Sequence, residues 1–186
     1  FTKDGEIIFR HFDGTLENIM KVSDVFIKGR HNIENAMAAI LSAYSLGVDL
    51  EIIVDTIKNF KGVEHRIEFV KTFNGISYYN DSKGTNPDST DVALKAFEKS
   101  VLIIGGYDKG SDFKKLLEDN KDKITSLVVM GATSELIINE ATELGIETTR
   151  VKDMEEAVSV ATTIARENNS VVLLSPACAS WDMYPN

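Results

Sequence analysis

The chain contains 186 residues, 43% of them hydrophobic, which is enough to bury one sizeable core or one core and a smaller second unit. Its formal net charge of -9 disfavours binding to nucleic acid or to an anionic membrane surface, because both are negatively charged. The single cysteine excludes an internal disulfide, which is typical of a reducing cytoplasm. The sequence has no apolar run of about 18 residues and opens without a signal peptide, so we expect a cytoplasmic protein with no membrane insertion.

The first 62 residues are predicted to form a small α/β unit. Its elements are a strand at 6–10, a turn at 13–15, a strand at 24–28, a helix from Ile33 to Gly47, and a helix that buries Ile52, Ile53, Ile57 and Phe60. Lys61-Gly62-Val63 is the candidate domain boundary. Because the chain begins at Phe1 rather than Met and stops abruptly at Asn186, we interpret it as a fragment whose first unit exposes apolar surface.

The remainder, residues 63–186, alternates between strand and helix patterns. Predicted strands lie at 66–73, 76–80, 101–104, 126–130, 148–151 and 170–174, and predicted helices at 87–98, 112–120, 134–144 and 154–167. Asn74-Gly75 between the first two strands is a strong hairpin signal. The pattern predicts an α/β fold with a Rossmann-like, doubly wound, mostly parallel sheet and one antiparallel hairpin strand.

Polar loops follow four of these strands, at 80–86, 105–110, 131–134 and 175–182. In a parallel sheet such loops open on one edge, so Lys83, Thr85, Lys109 and Ser180 can converge. Two ammonium groups and two hydroxyls would hold a small ligand bearing carboxylates through charge-assisted hydrogen bonds. The alternative is that the lysines are solvated and the hydroxyls cap helices.

Other candidate groups are less informative. The sequence has no G-x-x-x-x-G-K-[ST], and Gly105-Gly106 does not have the dinucleotide spacing. Cys178 lacks a neighbouring histidine, which favours packing over a nucleophile. The histidine spacing fits no metal motif, so we expect no metal site. Arg66 either faces a phosphate or base in an interdomain cleft or pairs with Glu64 or Glu68.

Five blocks of sequence carry a resemblance to a known family. They are 29–35 (GRHNIEN), 62–68 (GVEHRIE), 80–86 (NDSKGTN), 105–110 (GGYDKG) and 174–182 (LSPACASWD). Together they resemble the Mur ligases, and the last three resemble the D-glutamate-adding branch of that family. Gly84 stands where the branch often has alanine, which we expect to loosen the loop without removing a functional group.

The resemblance implies that residues 1–62 are the end of a central ATPase domain and that 63–186 are the C-terminal domain. It implies an ATP- and Mg²⁺-dependent ligase that joins D-glutamate to UDP-N-acetylmuramoyl-L-alanine, with the P-loop and most Mg²⁺ ligands upstream of this chain. The implied D-glutamate pocket contains Lys83, Thr85, Lys109, Ser180 and Trp181. The implied nucleotide contacts are Asn35, His65, Arg66 and Asp81.

Two other readings stay open. The first is a non-catalytic, Rossmann-like ligand-binding module, which needs no catalytic residue. A ligase of the folylpolyglutamate type has the same architecture, but we do not expect it to carry Asp81-Ser82-Lys83 in this loop. No residue of the chain identifies itself as the general base that the attacking amine needs.

Overall fold

The computed structural model describes residues 1–108 and 110–183. The chain divides into two compact units, Phe1–Gly62 and Val63–Asn186. Lys109 of the predicted clamp lies outside the described residues. None of the helices in the described part has the length and hydropathy needed to cross a bilayer.

The first unit is a three-stranded antiparallel sheet with two α-helices. Its elements are β1 (Thr2–Lys3), β2 (Glu6–Arg10), β3 (Leu16–Lys21), a 3-10 helix (Val22–Asp24), α1 (Arg30–Ser45) and α2 (Leu50–Asn59), with strand order β1-β2-β3. The core combines Ile7 and Met20 of the sheet with Ile40 of α1 and Ile53 of α2. All four side chains are buried and belong to one cluster, so the sheet and the helices share one core.

The predicted strand at 24–28 is wrong. The second long strand of the unit is β3, and residues 22–24 form the 3-10 helix instead. The side chain of Asp13 accepts a hydrogen bond from the Thr15 backbone N–H at 2.9 Å, which closes the turn early. The chain therefore begins pairing with β2 at Leu16, well before the apolar run that suggested a strand.

Several large apolar side chains of the first unit lie in solvent. They are Phe12, Leu41, Leu46 and Ile52, all more than half exposed. The prediction that the second helix buries Ile52 and Phe60 is therefore wrong, since these two side chains are 60% and 44% exposed, whereas Ile53 is buried. A cavity of about 770 Å³ lies between β2 and α1 and is lined mainly by apolar side chains. Exposed apolar surface on this scale is typical of a face that packs against another part of a protein.

The second unit contains a six-stranded sheet. Its elements are β4 (Glu68–Phe73), β5 (Ile76–Asn80), α3 (Pro87–Leu94), β6 (Ser100–Gly105), α4 (Phe113–Asp119), β7 (Ile124–Met130), α5 (Ser134–Glu143), β8 (Thr148–Arg150), α6 (Met154–Asn168) and β9 (Val171–Leu174). The strand order is β4-β5-β9-β6-β7-β8. Only the β4–β5 pair is antiparallel, which confirms the predicted sheet with one hairpin strand.

Helices cover both faces of this sheet. Leu102 and Ile104 of β6 pack into a core with α3, α4 and α5, whereas Val101 and Ile103 point to the opposite face and pack with α6. All four side chains are almost fully buried. The continuous apolar run of β6 is therefore the sequence signature of a strand covered on both sides.

The β4–β5 hairpin follows the prediction, whereas α3 ends earlier and β4 begins later than predicted. Asn74 and Gly75 both have positive φ, 50° and 82°, as a two-residue hairpin turn requires. Helix α3 ends at Leu94. The next residues form hydrogen bonds between positions three apart instead of four, such as Phe97 N–H to Leu94 C=O at 3.1 Å. Strand β4 begins only at Glu68, since the residues before it adopt a different backbone conformation described below.

Glu140 of α5 provides a test of the packing between α4 and α5. Burial, and then the nearby carboxylates of Asp112 and Glu143, raise the pKa of Glu140. Its Oε2 is buried without a hydrogen-bond partner among the described residues. A carboxyl with a raised pKa in the folded state binds a proton more strongly there than in the unfolded chain, so its ionisation destabilises the fold as pH rises.

We expect Glu140→Gln to raise the thermal unfolding midpoint at pH 7, and the gain to shrink as the pH falls towards 4. Glu143→Gln on the same helix is the matched control. Its hydrogen bond from Lys114 Nζ, 2.7 Å long, lowers the pKa of Glu143, so neutralising it should give no gain. Thermal scans of both variants at two pH values measure this, and a Glu140→Gln midpoint at or below that of the unmodified protein at pH 7 would contradict it.

Candidate functional site

The carboxyl ends of β5, β9, β6 and β7 lie on one edge of the sheet, and the four predicted loops follow them. Backbone hydrogen bonds join these loops to one another. They are Asp81 N–H to Leu174 C=O (2.7 Å), Ala177 N–H to Gly84 C=O (2.8 Å), Gly105 N–H to Pro176 C=O (2.9 Å), Tyr107 N–H to Ala179 C=O (2.8 Å) and Thr133 N–H to Gly106 C=O (3.1 Å). The edge is therefore a continuous bonded surface rather than a set of independent loops.

The carboxylate of Asp81 connects three segments of this edge. Its Oδ1 accepts a hydrogen bond from the Ile67 backbone N–H at 3.1 Å, and its Oδ2 accepts one from Ser175 Oγ at 2.7 Å. The Ser175 hydroxyl in turn lies 2.9 Å from Thr90 Oγ1 on α3. Asp81, Thr90 and Ser175 are all buried. A charged acceptor shielded from water gives this network more strength than neutral hydrogen bonds at the surface would have.

The segment before β4 is held in a strained conformation. His65 and Ile67 have positive φ angles of 67° and 46°, which are unfavourable for non-glycine residues and most of all for β-branched isoleucine. Further hydrogen bonds hold the segment besides the one from Ile67 to Asp81. The His65 N–H donates to Glu68 Oε2 at 2.9 Å, the Lys83 N–H donates to the His65 C=O at 3.1 Å, and the Asn80 side-chain amide lies 3.0 Å from His65 Nδ1.

Gly84 packs closely against the Asp81 network. A Cβ on Gly84 would lie 2.3 Å from Asp81 Oδ2 and 2.7 Å from Ser175 Oγ. The glycine thus permits the buried carboxylate to sit against the loop backbone, a packing role that the sequence did not predict. Replacement by alanine would require both the carboxylate and the hydroxyl to move, so the expectation that this glycine merely loosens the loop is wrong.

Two predicted pocket residues, Lys83 and Thr85, lie on the loop after β5, and Ser180 and Trp181 lie on the loop after β9. The side chains of all four are exposed. The bond from Ala177 to Gly84 joins the two loops that carry them. The structure thus places these groups on adjoining loops at one edge.

The predicted nucleotide contacts are distributed over both units. Asn35 lies on α1 of the first unit, is exposed, and donates a long hydrogen bond of 3.4 Å to Asn32. His65 and Arg66 belong to the strained segment of the second unit and are exposed. Glu68 lies 3.8 Å from His65 Nδ1, and the described residues show no ion pair between Arg66 and Glu64 or Glu68. Asp81 is buried and is bonded within the protein.

Cys178 is a packing residue. It is 1% exposed, and burial raises the pKa of its thiol to about 11, an effect only partly opposed by the Thr133 hydroxyl 3.6 Å away. A thiol with this pKa is protonated at neutral pH and is a poor nucleophile. The expectation that Cys178 packs against a turn agrees with this geometry.

A crevice that the sequence did not reveal lies between the ends of β7 and β8. Helix α5 leaves β7 towards one face of the sheet and α6 leaves β8 towards the other, which makes this position a topological switch point. The crevice has a volume of about 1030 Å³ and is lined by Gly131, Ala132, Arg150, Val151, Lys152, Asp153, Glu156, Asp182 and Met183. Asp182 connects it to the β9 loop, since its Oδ2 accepts the Ala132 N–H at 2.8 Å.

Residues 1–108 and 110–183 contain no group of three or more His, Cys, Asp or Glu side chains placed to hold a metal ion. The carboxylates nearest the candidate site are already used as hydrogen-bond acceptors within the protein, Asp81 for Ser175 and Asp182 for Ala132. The described residues therefore do not fit a metal site of their own.

The fold defines the class of protein first: an α/β domain with a Rossmann-like sheet and polar loops at the carboxyl ends of its strands. Residues 65–178 match the family profile described as "Mur ligase, glutamate ligase domain". The chain belongs to the Mur ligase family.

The chain is similar to curated proteins of several bacteria, all of which are named UDP-N-acetylmuramoylalanine--D-glutamate ligase. The UDP-N-acetylmuramoylalanine--D-glutamate ligase of Clostridioides difficile is 52% identical over 163 residues, which is 87% of this chain and 36% of that protein. The ligase of the same name from Caldicellulosiruptor saccharolyticus is 45% identical over 183 residues, 97% of this chain and 40% of that protein. The chain spans about 40% of the length of such relatives.

Solved structures agree with the fold. The UDP-N-acetylmuramate-alanine ligase of Thermotoga maritima superimposes with a TM-score of 0.61 at 23% identity, over 81% of this chain and 35% of that chain. The folylpolyglutamate synthase of the same organism gives 0.58 at 18% identity, over 89% and 39%. At these identities the likeness concerns the fold alone.

The Asp81 network makes a prediction about stability. Asp81→Asn keeps the volume but replaces one acceptor oxygen with an amide donor, so either the Ile67 N–H or the Ser175 hydroxyl loses its partner. We expect a loss of about 1–3 kcal/mol in the free energy of unfolding. Urea denaturation followed by the emission of Trp181, the single tryptophan of the chain, measures it in the second unit.

Asp88→Asn is the matched control, because Asp88 is an exposed carboxylate in the first turn of α3. Its effect should stay within about 0.5 kcal/mol. Equal losses in the two variants would show that the buried network contributes nothing specific.

Proposed function

We propose that this chain is the C-terminal part of an ATP-dependent ligase that adds D-glutamate to UDP-N-acetylmuramoyl-L-alanine in the synthesis of peptidoglycan precursors. The names of relatives at 45–52% identity support the reaction. The observation that carries the role of this chain is the bonded edge where the loop of Lys83 and Thr85 joins the loop of Ser180 and Trp181.

The proposed reaction has two steps. First, a carboxylate oxygen of the muramyl substrate attacks the γ-phosphorus of ATP, the bond to ADP breaks, and an acyl phosphate forms. Then the amine nitrogen of D-glutamate attacks the acyl carbon, phosphate leaves with the bonding electrons, and a proton passes from nitrogen to a base. The products are the amide, ADP and inorganic phosphate.

The contribution of this chain is to bind and orient D-glutamate. The amino acid carries two carboxylates, which suit the Lys83 ammonium and the hydroxyls of Thr85 and Ser180 as charge-assisted partners. We retain Lys109 in this pocket on the basis of the sequence. A rigid set of loops lowers the entropic cost of holding the amine beside its acceptor, because the second step then proceeds from a positioned pair.

Nucleotide recognition is proposed for Asn35, His65, Arg66 and Asp81. The guanidinium of Arg66 is exposed and suits a phosphate or the face of a base. The buried Asp81 supports this set as a positioning residue, because it holds the strained segment from which His65 and Arg66 project. We assign no Mg²⁺ ligand to this chain, and the sequence has no P-loop motif.

In this proposal residues 1–62 are the end of the central ATPase domain, 63–186 form the amino-acid-binding domain, and the enzyme is cytoplasmic. A ligase of the folylpolyglutamate type remains the alternative enzyme, favoured only by a fold likeness. A non-catalytic binding module is the alternative outside catalysis. Steady-state kinetics of the full-length protein with each amino-acid acceptor separates the three.

We expect Lys83→Ala and Ser180→Ala in the full-length ligase each to raise the KM for D-glutamate by about tenfold or more, since a charge-assisted hydrogen bond contributes roughly 1.5–3 kcal/mol. The KM for the muramyl substrate should change much less. Lys99→Ala, which removes an exposed lysine from the opposite end of the sheet, is the control. Unchanged D-glutamate kinetics in both pocket variants would reject the pocket.

The 186-residue chain alone should hydrolyse no ATP above the buffer rate, because the motif that cradles a triphosphate is missing from its sequence. A phosphate-release assay with ATP and Mg²⁺ tests this. Turnover that survives repurification would show that the chain carries a nucleotide site of its own.

A further inference from the structure

Tyr107 lies where the loop after β6 pairs with the loop after β9. Its backbone N–H donates to the Ala179 C=O at 2.8 Å, and the Ala179 N–H donates to the Tyr107 C=O at 2.9 Å. This pair forms an isolated antiparallel bridge between the β6 loop and the β9 loop. Ala179 directly precedes Ser180 and Trp181, so the bridge sets where those two residues begin.

The backbone around the bridge is tightly constrained. Gly106 has a φ of 138°, and a Cβ there would lie 2.4 Å from the Ala179 carbonyl oxygen. After Tyr107, the Asp108 carboxylate accepts hydrogen bonds from the backbone N–H groups of Gly110 and Ser111, both 2.6 Å long. Gly106 before Tyr107 and Asp108 after it are thus each held by a close approach or by hydrogen bonds.

The ring of Tyr107 contacts the indole of Trp181. Their centroids lie 5.9 Å apart with an interplanar angle of 30°, within the range of favourable aromatic pairs. The two side chains remain 44% and 57% exposed, so the pair stands at the surface of the edge and not in the core. Large aromatic side chains at such a position cover the backbone beneath them and restrict its motion.

We propose that Tyr107 is a positioning residue for amino-acid binding, which holds the Ser180-Trp181 segment in its binding conformation through the ring contact with Trp181. This inference rests on the proposed function and assigns to it a residue that the family resemblance did not. The aromatic ring carries the effect and the phenolic hydroxyl does not. The Tyr107→Phe variant should therefore keep the positioning effect, whereas the Tyr107→Ala variant should lose it.

In the full-length ligase we expect Tyr107→Ala to raise the KM for D-glutamate by about two- to tenfold, the range that one aromatic pair supports. The kcat should stay within about twofold, because the interaction is the same in the ground state and the transition state. The KM for ATP should not change. Tyr107→Phe should restore the unmodified KM. An Ala variant with unchanged KM, or a Phe variant as impaired as Ala, overturns the proposal.

Trp181 supplies a second readout that needs no turnover, since it is the single tryptophan of the 186-residue chain. Tyr107→Ala should shift its emission to longer wavelength and lower its anisotropy, whereas Tyr107→Phe should preserve both. Phe73→Ala is the matched control, because it removes a 54% exposed ring from β4. Equal changes in the Phe73 and Tyr107 variants overturn the ring contact as the cause.

Ser180→Ala measured in parallel separates this inference from the proposed function. If Ser180→Ala raises the KM for D-glutamate and Tyr107→Ala does not, the positioning role fails and the pocket stands. If Ser180→Ala and Lys83→Ala both leave that KM unchanged, the pocket itself fails. A raised KM in both variants with rescue by Tyr107→Phe supports the proposal.

Discussion

The buried carboxylate of Asp81 is the interaction on which the second unit's functional edge depends. It accepts hydrogen bonds from the strained segment before β4 and from the loop after β9, while its own backbone belongs to the loop after β5. A buried charge is costly unless it is fully hydrogen-bonded, so these three segments are coupled. If one of them moved away, the buried carboxylate would lose one of its hydrogen-bond donors.

This coupling explains how a set of loops can be rigid and still present exposed chemical groups. The hydrogen bonds of the edge are mostly backbone bonds, which leaves the side chains of Lys83, Arg66 and Ser180 in solvent. Positive φ angles at His65 and Ile67 are tolerated because neighbouring hydrogen bonds hold them there. In the ligase that we propose, the backbone and the side chains of these loops have different tasks. The backbone sets the geometry, and the side chains contact the ligands.

The likeness to solved structures of 18–23% identity supports the architecture only, and an alanine-adding ligase and a folylpolyglutamate synthase have it too. The residues that we propose to contact the ligands lie in the loops of the sheet edge, beside Asp81 and the Tyr107 bridge. A topological switch point between β7 and β8 lies beside these loops, and Asp182 joins the two places through its bond to Ala132.

The sequence by itself determined the alternation of strands and helices in the second unit, the Asn74-Gly75 hairpin and the positions of the polar loops that follow the strands, because these depend on local periodicity and turn chemistry. It did not determine where β3 lies. The apolar run at 24–28 has the composition of a strand, but the strand that pairs with β2 begins directly after the turn, at Leu16. Only the tertiary structure decided that Asp81 is buried, that Gly84 packs against it and that Tyr107 meets Trp181. Those contacts join residues up to 94 positions apart, and no local pattern encodes which distant side chain completes a buried hydrogen bond or a ring pair.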